Sequence, residues 1–519
     1  MSEALVPAIV AVPVGSAAIT WLVGRRRSRL SEAIAVAAAA ATLAIAAGIS
    51  WAVLGSTGVA LVWAPSSFWA LRIDALSAVV ILVVAGLGLL VVAYAIPHMR
   101  ALIEQGKTAQ QRLALFYSLT LCFIGTMTWA AATDNIIVLF IAVEATTLAS
   151  ALLVAFYWNR RALEAGYKYL LLLTVGITFA LFGCVLLYAA ASGVPELGAY
   201  MQPMLMSHIF AHTGQIAAQA PSVLFLAMAF LIIGFGTKAG LIPFHPWLPD
   251  AHAEAPAPVS ALLSGILIEV GAYALLRTTA PFYGAMPVVQ EVLIVLGAVS
   301  MFVGIMLVAA EDDLKRLLAY SSVSQIGYVV MGMGIGGFLG MFGAIFHIIN
   351  HAIAKSLLFF VAGAVEQATG KRRLSELSDL RRFMPVTAAC FFVGALAIGG
   401  CPPLNGFVSK LTIFLAAAGQ GRWWAAGVAV LTGLLTLIVL IRVGVRIFTS
   451  GMAAPRKSDE EAAPQAAAVA GNPHPREVAL QMLAAMMVLV VLCVLLGVYP
   501  LVVSPAVERA AEATMAVGR

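Results

Sequence analysis

The chain has 519 residues, 62% of them hydrophobic and only 10% charged, where an ordinary soluble domain carries about 25% charged residues. A chain this apolar cannot hide its surface from water as a soluble fold, which leaves the membrane as its solvent. The net charge of +6 therefore has to be read through its placement and is no nucleic-acid signal.

Apolar windows long enough to cross a hydrocarbon core of about 30 Å recur almost end to end, which selects helices over a barrel. The expected fold is an all-α integral membrane protein with fourteen spans, centred near residues 14, 43, 85, 122, 145, 178, 234, 267, 299, 333, 356, 402, 437 and 490. The run at 4–23 precedes the basic RRRSR stretch and another span. It reads as a retained first helix, since the basic region of a signal peptide comes before its apolar run. With the N-terminus outside, 21 of the 30 Lys and Arg residues fall at inside ends and loops, and only Arg72, Arg277, Arg422, Arg509 and Arg519 fall outside. This asymmetry predicts both termini outside the cytoplasm of a bacterial inner membrane. Residues 451–476, rich in Ala, Pro and Glu, read as an exposed linker before a separately attached last helix.

The five cysteines are scattered, with no CxxC pair or Cys/His cluster, so iron–sulfur and structural zinc sites have no support. His245 and His252 have a spacing that suits no familiar zinc site. No nucleotide-binding glycine loop occurs, although small residues are frequent where membrane helices pack. No cofactor and no metal is expected in this chain, and an ATP-driven pump has no support in it.

Charged groups in hydrocarbon are expensive, so those that persist mark function. Glu144 lies in LFIAVEATTLAS, where a buried carboxylate beside a buried ammonium is the favoured reading over a protonated structural acid. Glu164 and Lys168 stand four residues apart on one helix face and can simply pair near the inner surface. Lys238 lies in IGFGTKAGLIPFHPWLP, where glycines and Pro243 break an apolar segment. GCPPLNGFVSKLTIF repeats that logic with Lys410. Two broken helices, each with a nearby lysine and separated by five spans, are the pattern of an internally duplicated transporter. Between them, FHIINHAIAKSLLFF puts His347, His351 and Lys355 on one helix face over about 12 Å. Two imidazoles leading to an amine can pass protons, because histidine titrates near neutrality. The competing reading makes the histidines packed helix contacts that cap carbonyls.

The words IGFGTKAGLIPFHPWLPDAHAEAPAPVSALLSG, DLKRLLAYSSVSQIGYV, NHAIAKSLLFF and PPLNGFVSK resemble the antiporter-like membrane subunits of respiratory complex I, multisubunit cation/proton antiporters and membrane-bound hydrogenases. VEATTLAS followed by ALEAGYKYLLLLTVG looks most like the F-type membrane subunit of formate-linked hydrogenases. The resemblance covers roughly residues 70–450. It implies two inverted five-helix repeats, spans 4–8 and 9–13, with spans 7 and 12 broken. By the same resemblance Glu144 modulates Lys238, His347, His351 and Lys355 form a central axis, Lys410 is the site on span 12, and Lys168 matches a lysine of span 6. One position departs. Many members carry lysine before GxYALLR, whereas this chain reads SGILIEVGAYALLR with Glu269. A carboxyl group there cannot supply the same positive charge, although a desolvated carboxyl can hold a proton.

The expected organisation is helices 1–3 over residues 1–110, a first repeat at 111–280, a second at 285–450, the linker 451–476, and a last helix and tail at 477–519. The expected function is a proton-translocating subunit of a redox-driven complex, with redox chemistry left to a partner arm and to further membrane subunits. A sodium/proton antiporter module and a bicarbonate- or CO₂-uptake complex are the alternatives, and a purely structural scaffold is a third.

Overall fold

The computed structural model describes residues 2–24, 28–55, 60–198, 204–449 and 476–516. The chain opens with α1 (Ser2–Gly24), α2 (Ser28–Gly55) and a small antiparallel hairpin, β1 (Leu61–Trp63) and β2 (Leu71–Ile73). Next come α3 (Ala75–Glu104), α4 (Leu113–Ala132), α5 (Ile136–Val154) and α6 (Arg160–Ser192). A first broken pair, α7 (Pro221–Ala239) and α8 (Trp247–Glu254), leads into α9 (Ala257–Phe282), which contains a π-helical turn at Leu263–Leu267. Then follow α10 (Pro287–Ala310), α11 (Leu314–Ile335), α12 (Gly337–Thr369), the second broken pair α13 (Pro385–Gly399) and α14 (Asn405–Gly419), and α15 (Trp423–Phe448). The last described helices are α16 (Leu480–Val498) and α17 (Ser504–Ala516).

Among the described residues, twelve helices are long and apolar enough to cross a membrane. The two other expected spans, near 333 and 402, coincide with α11 and the α13/α14 pair. The first is rich in polar groups, with Ser321, Ser322, Ser324 and Gln325 in one stretch, and the second is cut into two helices of 15 residues each. The expected linker at 451–476 lies outside the described residues except for Arg476, as do Arg25, Arg26, Arg27 and Arg519 of the charge argument.

Helix starts follow ordinary capping. Side chains of Asp74, Asn135, Asn159 and Asp313 accept from the otherwise unpaired first N–H groups of α3, α5, α6 and α11, as helix termini require. Between α11 and α12 the chain reverses at Gly336 and Gly337, both at positive φ (65° and 62°), a conformation that strains any residue with a Cβ.

The layering places the charges. The spanning windows of α9 and α12 are wholly buried, whereas that of α1 is 28% buried, so α9 and α12 form the centre and apolar outer helices face lipid. Close packing of α10 on α11 depends on glycine. A Cβ at Gly297 would stand 2.6 Å from the Met331 nitrogen, and one at Gly334 would stand 2.7 Å from that of Ile294, the small-residue contact typical of membrane helices.

Candidate functional site

The two breaks are built alike. In the first, Gly240 (φ 78°) ends α7 and its N–H reaches the Thr237 carbonyl, while the Leu241 N–H reaches Gly236. In the second, Gly400 (φ 80°) ends α13, with Gly400 bonding to Ala397 and Cys401 to Leu396. Each is a glycine-capped helix end that satisfies some carbonyls and frees others. Both carry a cis X–Pro bond, Ile242–Pro243 and Pro402–Pro403. At the first break the Thr237 carbonyl also takes the Trp247 indole N–H, at 2.9 Å.

Lys238 lies in the last turn of α7 and is fully buried. Its ammonium donates to the Thr147 hydroxyl at 2.8 Å, Thr147 donates to Glu144 Oε2 at 3.0 Å, and Thr174 donates to Glu144 Oε1 at 2.9 Å. Glu144 and Lys238 are thus joined through a hydroxyl and do not form the direct ion pair expected from sequence.

Gly271 lets α9 press on this site, since a Cβ there would stand 2.7 Å from the Ala239 nitrogen and 2.9 Å from the Lys238 carbonyl carbon. Two residues before it on α9, Glu269 Oε1 lies 2.5 Å from His351 Nδ1, with both side chains buried. This contact joins the expected first repeat to the second. Lys355, expected with the two histidines on the central axis, donates to the Leu318 carbonyl at 2.8 Å and to the Ser321 hydroxyl, both on α11.

Further along α12, His347 Nδ1 lies 2.9 Å from Ser409 Oγ, which also accepts from Asn350 Nδ2 at 3.1 Å. Ser409 precedes Lys410, whose Nζ donates to the Ile398 carbonyl at 2.6 Å and sits 4.4 Å from the centroid of the Tyr328 ring. The ammonium therefore lies at the carbonyl end of α13, where the helix dipole favours a cation, and over an aromatic face. Neither axis histidine uses Nδ1 to cap a backbone carbonyl. Glu269 Oε2, His347 Nε2, His351 Nε2, Asn350 Oδ1 and the Gln325 amide are buried and have no partner among the described protein groups.

Lys168 is not brought to this line. Its side chain is 50% exposed, 2.8 Å from Glu164 and 3.7 Å from Asp250, which is the pairing that the four-residue spacing allows. Its place near the start of a helix of 33 residues puts it beyond the buried layer. Residues that sequence reasoning passed over include Thr147, Thr174, Ser321, Ser409 and Tyr328. The available signal was position: Thr147 follows Glu144 by three residues, and Ser409 adjoins Lys410. Among the described residues no cluster of three or more His, Cys, Asp or Glu could hold a metal ion.

Chemically, the arrangement is a row of groups able to hold, give or accept a proton, running from the half-buried Glu144 and the buried Lys238 through Glu269 and His351 to His347 and Lys410. A multi-pass helical bundle with glycine-capped broken helices and such a row defines an ion-translocating membrane subunit. The chain belongs to the NADH:quinone oxidoreductase/Mrp antiporter transmembrane family, whose pattern matches residues 133–436, and residues 65–108 match the complex I chain 5 N-terminal family. It is 34% identical over 410 residues to NADH-quinone oxidoreductase subunit N of Desulforudis audaxviator, covering 78% of each chain. It is likewise 34% identical over 376 residues to a hydrogenase-4 component F homolog of Methylacidiphilum infernorum, covering 72% of this chain and 77% of that one. In structure it is similar to a chain of the Mrp complex from a Dietzia species, with a TM-score of 0.85, 25% identity, and coverage of 99% of this chain and 97% of that one.

Proposed function

We propose that this chain is a proton-translocating membrane subunit of a multisubunit redox-driven complex. The observation that carries the reading is the Glu269–His351 contact, which makes one buried row out of two separately anchored lysine sites. Lys238 and Lys410 are the main carriers. Glu144 biases Lys238 through Thr147, and Glu269 and His351 pass charge between the halves. A change of charge at one site alters the proton affinity of the next, and the two broken helices give access to opposite sides. The pathway is formed by two inverted five-helix repeats within fourteen passes, in a bacterial inner membrane with both termini outside. No cofactor sits in this chain. Electron transfer belongs to a partner redox arm, and further antiporter-like subunits flank the chain.

One observation favours sodium/proton antiport as the second reading. Glu269 puts an oxygen ligand at the centre of the row where many members have an ammonium, and hard cations prefer oxygen ligands.

The test is Lys238→Ala and Lys410→Ala in the purified, reconstituted complex. Each variant should keep assembly and lose coupled proton movement by at least about tenfold, equivalent to about 1.4 kcal/mol. Undiminished translocation in both variants defeats the proposal. Varying the sodium gradient at fixed pH gradient separates the two readings, because only antiport responds to it.

A further inference from the structure

The row on α12 does not stop at Lys355. Four-residue steps continue it to Phe359, Gly363 and Gln367, another 18 Å or so along the axis. Phe359 is apolar, but the ring of His252 stacks on it, with centroids 4.8 Å apart and planes at 19°. His252 comes from α8, is fully buried, and neither ring nitrogen has a hydrogen-bond partner among the described groups. Phe359, on which it stacks, stands one four-residue step from Lys355 on the same face of α12. An imidazole that served only as packing would be a costly choice there, because two unpaired buried nitrogens are penalised where another phenyl ring would not be.

Beyond it the line stays polar. Gly363 leaves room for the Tyr94 hydroxyl, 3.0 Å from where its Cβ would stand. Gln367 Oε1 lies 2.8 Å from His98 Nδ1, and Lys315 Nζ bonds Glu366 at 2.6 Å and the Ala255 carbonyl at 3.1 Å. His98, Lys315, Glu366 and Gln367 border a cavity of about 460 Å³ whose lining also includes Lys107 and Arg372, together with Ala253 and Glu254, which follow His252 in the chain. Lys107 and Arg161 in its wall are exposed, so the cavity reaches the surface, on the face where the Lys and Arg residues gather.

We propose that His252 is a proton relay connecting this cavity to Lys355, a supply to the central amine that is separate from Lys238. The proposal rests on the proton-translocating reading above. In one cycle a neutral His252 takes a proton on one nitrogen from water in the cavity and gives the proton on its other nitrogen, through water, to the neutral Lys355 amine. One proton enters and one leaves, no electrons move, and the imidazole returns neutral as its other tautomer.

The test uses the whole complex in proteoliposomes, with a potassium–valinomycin diffusion potential driving proton uptake, so that the native driving reaction is not needed. His252→Gln keeps a polar side chain of similar reach but cannot titrate. Uptake should fall about tenfold, fall further when Lys238→Ala is added, and recover in His252→Ala when 4-methylimidazole is supplied. Wild-type uptake by His252→Gln overturns the relay. If Lys410→Ala still abolishes uptake in that case, the broader reading stands. If Lys410→Ala is also silent, the broader reading fails with it. Should His252→Ala not assemble, His252→Gln decides the question alone.

Discussion

The Glu269 carboxylate and the His351 imidazole lie 2.5 Å apart, one on α9 and the other on α12, the two helices most completely enclosed by the bundle. Removing one partner of this buried hydrogen bond leaves a polar atom of the other unsatisfied, at a cost of about 1–3 kcal/mol. Glu269→Gln and His351→Ala should each lower the thermal midpoint of the detergent-purified protein and reduce proton movement by tenfold or more. The double variant Glu269→Leu/His351→Leu should recover much of the stability and none of the transport. Transport that survives in the double variant contradicts the bridging role.

Thr147 is the hydroxyl between Lys238 and Glu144. Thr147→Val keeps the shape and removes the relay, and we expect a two- to tenfold loss of proton uptake together with a stability loss of about 1–3 kcal/mol, because the buried Lys238 donor loses its hydroxyl partner. Thr147→Ser should restore uptake. Equal rates in the Val and Ser variants would show that the hydroxyl is not used.

Gly271 and Gly15 make a matched comparison. Alanine at 271 drives a methyl into the backbone that carries Lys238, whereas nothing stands within 4 Å of a Cβ at Gly15. Gly271→Ala should destabilise the protein by about 1–3 kcal/mol through overpacking and slow transport, while Gly15→Ala should do neither. Thermal unfolding of the two variants side by side checks this.

Asp74 supplies the pH dependence. Burial pushes its carboxyl up, but the Arg277 guanidinium 2.5 Å away, together with the Ser77 N–H, outweighs burial and holds it below the ordinary carboxylate range. A carboxyl depressed in the folded state stabilises above the unfolded-state value near 3.8, and that contribution is lost as pH falls through the still lower folded value. The thermal midpoint should therefore fall as acid is added below about pH 4. In Asp74→Asn the midpoint should start lower and fall less across the same window. An identical acid response in both proteins rules out this origin.

What could be read from the sequence follows from how rare each signal is in hydrocarbon. A lysine beside glycine and proline inside an apolar run is conspicuous, so Lys238 and Lys410 and the breaks beside them were legible. Histidines at four-residue steps announced the α12 face in the same way. Hydroxyls were not legible. Thr42, Thr120 and Thr436 bond carbonyls four residues back on their own helices, and nothing in one chain's order separates them from Thr147 or Ser321. The partner of Thr147 is 91 residues away and that of Ser409 is 62 residues away, distances set by lateral helix order. Lys168 was legible as half of a surface pair from its four-residue spacing to Glu164, while its distance from the buried row follows from α6 running on past the buried layer.

The hydroxyl of Thr147 has a direction. It carries one hydrogen, which it gives to Glu144 while its oxygen receives the Lys238 ammonium. Once Lys238 loses its proton to the interior of the bundle, the amine can accept instead of only donate, and the hydroxyl is free to swing its hydrogen toward it. With its hydrogen turned toward the amine, the hydroxyl is set to take the next proton from the Glu144 side and hand its own to Lys238, which returns it to the arrangement in the structure. One rotation about a single C–O bond therefore separates each transfer through Thr147 from the next.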